Sequence, residues 1–206
     1  DERYVTYKTL VGFRTVFVEE WDQEIEIADK EKMRGDRMET YAATVGPETR
    51  DYWLSVISQC AETESDDLAT FPPLTRFFNR ISRLQPTITL DILLSGGKAL
   101  ERFAPSFFPV LLSTAAREDA LAAMNSWLPD RDAGSLGRAL FLCEEPLTNL
   151  IAQTGAQVIA TKDIVGCYEI AHAALRHGTC ENSLWATVLT PALTTLTELG
   201  NGAFAA

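Results

Sequence analysis

Residues 72–86 carry the pattern that most constrains the fold. The segment opens on Pro72-Pro73 and stops before Pro86, and its apolar residues recur every three or four positions: Leu74, Phe77, Phe78, Ile81 and Leu84. In a helix of about 3.6 residues per turn, these side chains fall on one face. Proline is tolerated in the first turn of a helix and breaks it further along. The pattern therefore predicts one short amphipathic helix bounded by proline at both ends.

The beginning of this helix, "LTRFF" at 74–78, is echoed by "LERFA" at 100–104 and by "LGRAL" at 136–140. Between the first two echoes, residues 88–94 predict a second, more buried helix that ends at Gly96-Gly97. Apolar stripes at helical spacing, separated by proline or glycine, continue towards the end of the chain. We therefore predict an all-α fold.

The proline-bounded helix pairs of residues 72–199 resemble HEAT or armadillo-like repeats. The resemblance implies antiparallel helix pairs stacked as a HEAT-like α-solenoid, with an extended concave face that binds protein. It also implies a second role, that of a helical sensor or spacer beside a nucleotide-hydrolysing domain. The echoes begin 26 and then 36 residues apart, and this irregular spacing leaves an irregular helical bundle as the alternative.

The N-terminal part has a weaker pattern. Residues 36–46 and 47–64 are typical of helices, with a break at Gly46-Pro47. Residues 5–18 are rich in β-branched and aromatic side chains and fit a strand or a helix, and we favour a helix because no partner strand is visible. The predicted organisation is an N-terminal helical part over 1–64, in which 1–35 stays open, a loop at 65–71, and a repeat-like part over 72–206.

The net charge of −11 disfavours nucleic acid and anionic membranes as partners, because both are negatively charged. Part of the excess is local, in the run Glu19, Glu20, Asp22, Glu24 and Glu26. Such a run is typical of a solvated helix face, and the alternative is a docking face for a basic partner. Apolar runs such as 107–112 are much shorter than the roughly 20 residues of a membrane-spanning helix.

Four scattered cysteines without a C-x-x-C pair are typical of a reducing, cytoplasmic setting. The sequence begins at Asp1, with no initiator methionine. We therefore expect a segment of a larger, bacterial-type cytoplasmic protein.

One cluster of candidate metal ligands occurs, at Cys167, His172, His177 and Cys180. Steps of five residues rotate by about 140° on a helix, so the first three cannot share one face. Glu169 and His172 form an E-x-x-H pair, but a di-iron site needs a second such pair. His177 is interpreted as a last-turn residue, where the helix dipole favours positive charge. We predict no catalytic residue, no metal site and no cofactor.

Arg76, Arg80 and Arg83 form a basic stripe on the helix that begins at Pro72, and Arg102 is a candidate extension of it. The stripe is interpreted either as solvent-exposed, with local ion pairs, or as a contact surface for an acidic partner or another domain.

Our first hypothesis is a non-catalytic helical scaffold or recognition segment that contacts a protein partner or other domains of its parent chain. The first alternative is an acidic helical regulator, similar to an immunity protein, that binds a basic partner. The second is a helical-bundle enzyme or small-molecule binder with a pocket near Tyr168 and His172. The sequence sets no oligomeric state.

Overall fold

The computed structural model describes residues 2–12, 26–64, 71–128, 131–179 and 183–204. Every regular element in these ranges is helical, so the predicted all-α class is confirmed. The helices are α1 (Glu2–Val11), α2 (Ile27–Ala43), α3 (Arg50–Ala61), α4 (Pro72–Leu84), α5 (Pro86–Ser95), α6 (Lys98–Glu101), α7 (Ala104–Leu111), α8 (Arg117–Trp127), α9 (Ala133–Leu142), α10 (Thr148–Thr161), α11 (Ile164–His177) and α12 (Thr190–Phe204). A 3₁₀ turn, Pro47–Thr49, precedes α3, and a π-helical turn, Trp185–Leu189, precedes α12.

The chain divides into two compact units, Asp1–Leu100 and Glu101–Ala206. In the first unit, α4 has the bounds that its prolines predict, and Phe71 precedes it in a left-handed conformation with φ of 76°. Its apolar stripe belongs to the core of the unit, because Leu74, Phe77, Phe78 and Ile81 are fully buried, whereas Leu84 at its end is 41% exposed. α4 packs on α1, α2 and α5.

Aromatic side chains link α4 to the helices that precede it in the chain. The ring of Trp53 in α3 lies 5.2 Å from that of Phe77 and 6.0 Å from that of Tyr41 in α2, measured between centroids. α5 also packs on α3. Helices on both sides of residues 65–70 therefore share one core, and the division between the two compact units lies after Leu100, within the predicted repeat-like part, 72–206. Residues 65–70 themselves lie outside the described ranges.

The three sequence echoes occupy different structural positions. "LTRFF" lies within α4 and "LGRAL" within α9, whereas "LERFA" spans the end of α6, a two-residue turn and the first residue of α7. Pro105 explains the difference, because it lacks the N–H that would continue a helix from α6 and instead occupies the first turn of α7.

In the second unit, α9 and α11 make the most extensive helix contact. Glycines allow their backbones to approach closely: a Cβ atom added at Gly134 or Gly137 would lie 3.4 Å from the backbone nitrogen of Gly166 or Ile170, respectively. α7, α8 and α10 also pack on α9, while α10 and α12 pack on α11. α11 is thus held by three helices.

Candidate docking surface

The start of α11 is determined by the sequence around Asp163. Lys162 ends α10 in a left-handed conformation with φ of 54°, and Asp163 is the N-cap of α11. One carboxylate oxygen of Asp163 accepts a hydrogen bond of 3.0 Å from the backbone N–H of Gly166. Such a cap satisfies one of the free N–H groups of the first turn and sets the rotation of the helix that follows.

The side of α11 that faces the other helices carries small residues. Gly166, Cys167, Ala173 and Ala174 are buried there together with Ile170. Small side chains let neighbouring backbones approach closely, which explains the tight packing against α9. The large apolar residues of α11 are consequently left on the opposite side.

The opposite side forms a continuous apolar surface, which we call the α11 face and define as Ile164, Val165, Tyr168, His172 and Leu175. At about 100° per residue, these positions lie within an arc of about 100° on the helix. Ile164 is 56% exposed, Val165 65%, Tyr168 52% and Leu175 60%, and His172 is partly exposed. Single exposed apolar residues are ordinary on a protein surface, whereas here four of them lie side by side on one helix.

Aromatic contacts order the middle of the α11 face. The ring centroids of Tyr168 and His172 lie 4.3 Å apart, and the Phe141 ring of α9 lies 5.7 Å from that of His172. Arg176 also contacts Phe141: its guanidinium carbon lies 5.4 Å from the ring centroid, and it donates a 2.6 Å hydrogen bond to the Phe141 carbonyl. The predicted pocket residues Tyr168 and His172 are therefore in contact, on an open helix face, and a ligand role for them stays a prediction.

Cations border the α11 face. We call Arg138, Lys162 and Arg176 the basic rim; all are exposed. Arg138 lies 3.4 Å from Glu169, whose side chain is only 13% exposed. In the part of the chain that the structure describes, neither Lys162 nor Arg176 forms an ion pair. Two of the three cations of the basic rim therefore have no ion-pair partner among the described residues.

The predicted arginine stripe is also exposed, on α4. Nε of Arg80 lies 2.7 Å from a carboxylate oxygen of Glu39 in α2, whereas Arg76 and Arg83 form no ion pair among the described residues. Arg102 belongs to the second unit, where its guanidinium carbon lies 4.9 Å from the ring centroid of Phe103. An interaction role for these arginines stays a prediction.

The predicted acidic docking face falls mostly outside the described residues. Glu19, Glu20, Asp22 and Glu24 all lie in residues 13–25, which are not described, and Glu26 is exposed directly before α2. Its role as a surface for a basic partner stays a prediction.

The described cysteines and His177 lie in the interior. Burial raises the pKa of the Cys60 and Cys143 thiols to about 12 and also raises the pKa of Cys167, so all three are protonated near neutral pH. Cys180 lies outside the described ranges. Within those ranges, no three His, Cys, Asp or Glu side chains come together in a way that could hold a metal ion.

Sequence reasoning identified Tyr168 and His172 but did not identify Ile164 and Leu175 as surface residues. The structure exposes both of them, whereas Cys167 and Ala171 of the same helix are buried. A signal was present in the sequence, because Gly166, Ala173 and Ala174 mark the side on which a neighbouring helix can approach closely.

None of the helices in the described ranges combines the length and the apolar content needed to cross a membrane. Comparison of the chain with protein-family models, with curated proteins and with solved structures finds no match.

Proposed function

We propose that this chain is a non-catalytic helical scaffold or recognition segment, and that the α11 face is the surface through which it contacts another protein or another domain of its parent chain. The observation that carries the proposal is the exposure of Ile164, Val165, Tyr168 and Leu175 on one side of a helix whose other side is fully packed.

Free-energy arguments support a docking role for this face. Fully burying one large apolar side chain contributes about 1.5–3 kcal/mol of favourable free energy. A partner that covered the four exposed side chains of this face would therefore add a large favourable free energy of binding. Tyr168 and Arg176 also belong to residue types enriched where binding energy concentrates. The contact with His172, which in turn lies against Phe141, holds the Tyr168 ring in place and so lowers the entropy lost on binding.

The wider setting of the proposal follows from the sequence. The resemblance of the proline-bounded helix pairs to HEAT or armadillo-like repeats supports a scaffold, because such proteins present side chains of stacked helices to protein partners. We place this scaffold in a cytoplasmic, bacterial-type protein. In that setting the α11 face would contact a partner or a neighbouring domain, such as a nucleotide-hydrolysing one.

Site-specific photo-crosslinking tests the proposal. A photoreactive phenylalanine analogue at Val165 is expected to give discrete adducts of defined mass in native extract. The same analogue at Leu193, an exposed residue of α12, is the matched control. Adding Tyr168→Glu to the chain that carries the analogue at Val165 should abolish the adducts, because this substitution places a negative charge in the middle of the α11 face. Equal labelling at both positions, or none at Val165, would contradict the proposal.

A further inference from the structure

We infer that the α11 face takes an acidic amphipathic helix from a partner protein. This inference rests on the proposed docking role of the face and adds the chemistry of its occupant. Two observations carry it: the spacing of the apolar residues along α11, and the excess of positive charge in the basic rim.

The spacing fits a helix as the occupant. Val165, Tyr168, His172 and Leu175 follow one another at intervals of three, four and three residues. This is the alternation found along the seam of two packed helices, where each side chain of one helix inserts between those of the other. Ten residue steps of α-helix span about 15 Å, so the seam accommodates about three turns of a partner helix.

The charge balance selects an acidic occupant. Lys162 lies just before the start of α11, Arg176 in its last turn and Arg138 beside it on α9. Four carboxylates belong to the same region. Asp163 accepts from the backbone of Gly166, and Glu169 is largely buried beside Arg138. After α9, Glu145 is held by two 2.8 Å hydrogen bonds from Arg117, and Glu144 is exposed. Lys162 and Arg176 are exposed and form no ion pair among the described residues, so they favour carboxylates on the flanks of the occupant, although the whole chain carries −11.

A partner helix with apolar residues on one side and Glu or Asp along its flanks complements this arrangement. Its apolar side would cover the seam while its carboxylates reach Arg138 and Arg176. A second copy of the same chain complements the face less well, because a two-fold contact through α11 would bring a second basic rim towards the first.

Binding of designed peptides to the full chain tests the inference. The probe is a fluorescein-labelled peptide of about three heptads, with Leu at the seam positions and Glu at the flanking positions, and the matched probe carries Lys in place of Glu. We expect the Glu peptide to bind at least about tenfold more tightly than the Lys peptide, with an affinity that falls as salt is raised. Fluorescence anisotropy measures both.

Variants locate the contact. Arg138→Glu with Arg176→Glu should reverse the preference between the two peptides, and the neutral pair Arg138→Gln with Arg176→Gln should remove it. The neutral pair keeps the test valid if charge reversal beside Glu169 disturbs the fold. Lys32→Glu with Lys98→Glu changes the net charge equally, on exposed residues of α2 and α6, and should leave the preference unchanged. Tyr168→Glu should abolish binding of both peptides.

The outcomes separate this inference from the proposed function. If both peptides bind equally and Tyr168→Glu removes them, the docking face stands and an acidic partner is excluded. If neither peptide binds but the analogue at Val165 still gives adducts, the acidic-helix inference fails and the proposed docking function stands. If the adducts are also missing, the inference and the proposed function both fail. A dimer seen by sedimentation and dissociated by Tyr168→Glu would identify a second copy as the occupant and overturn the inference.

Discussion

His177 shows how burial changes the behaviour of a single residue. Its position in the last turn of α11 predicted a protonated side chain favoured by the helix dipole. The structure buries His177, and desolvation together with the neighbouring Arg176 lowers its pKa, while backbone hydrogen bonds at Leu140 and Phe141 act in the opposite direction. The cost of burying a charge therefore outweighs the attraction of the helix terminus.

This lowered pKa predicts a pH dependence of stability. The unfolded chain, in which histidine has a pKa of about 6.5, takes up the proton before the folded chain does. The stabilising contribution is therefore complete above that value and is lost as the pH falls through the folded pKa. One proton limits the slope to about 1.4 kcal/mol per pH unit.

Urea unfolding of the wild type and of His177→Gln between pH values of about 7.5 and 5 measures this contribution as the difference between the two curves. Subtracting one curve from the other removes the contribution of the carboxylates to the free energy of unfolding, because they titrate in both chains. We expect the wild type to lose more stability than the variant as the pH falls, and parallel curves would contradict the assignment.

At the scale of the element, the start of α11 and its packing against α10 depend on glycine. A Cβ atom at Gly166 would lie 2.5 Å from a carboxylate oxygen of Asp163 and 2.6 Å from a methyl carbon of Val158. Gly166→Ala should therefore displace the N-cap of α11 and destabilise the fold by about 1–3 kcal/mol, the usual cost of overpacking. Urea unfolding measures the change.

Gly35→Ala is the matched control, because nothing lies within 4 Å of the position its Cβ would take in α2. Alanine is the better helix former, so this variant should stabilise the chain by about 0.5–1 kcal/mol. If Gly166→Ala and Gly35→Ala changed the free energy of unfolding equally, close packing would not be the reason that residue 166 is a glycine.

The elements differ in how well the sequence predicted them. α4 has a single apolar stripe between polar positions, so its bounds and its buried face followed from the pattern. α11 has apolar residues on both its buried and its exposed sides, so periodicity indicated a helix but could not choose which side is buried. The choice came from the small residues of α11, which fit the glycines of α9.

At the scale of the whole molecule, the division after Leu100 has a testable consequence. A fragment of residues 98–206 keeps α6 with the second unit, including the 3.0 Å hydrogen bond from the Asp132 N–H to Glu101. A fragment of 72–206 carries α4 and α5 without α1–α3, so the Phe77 and Phe78 side chains lose part of their cover. We expect 98–206 to unfold cooperatively and 72–206 to aggregate or bind a hydrophobic dye strongly.

Dye fluorescence and sedimentation of the two fragments at equal concentration check this expectation. If 72–206 is as well behaved as 98–206, the boundary at 65–71 predicted from the sequence would be the better description of how the chain folds.

The sequence by itself determined the all-α class and the bounds of α4, because proline positions and helical spacing act through local geometry and need no knowledge of neighbours. It also indicated that Tyr168 and His172 belong together, since they are one helical turn apart. Only the tertiary structure decided that residues 72–95 join the first unit and that the large apolar side of α11 faces outward. Both depend on which distant helices meet, and that is set by the fit of side chains far apart in the chain rather than by local pattern.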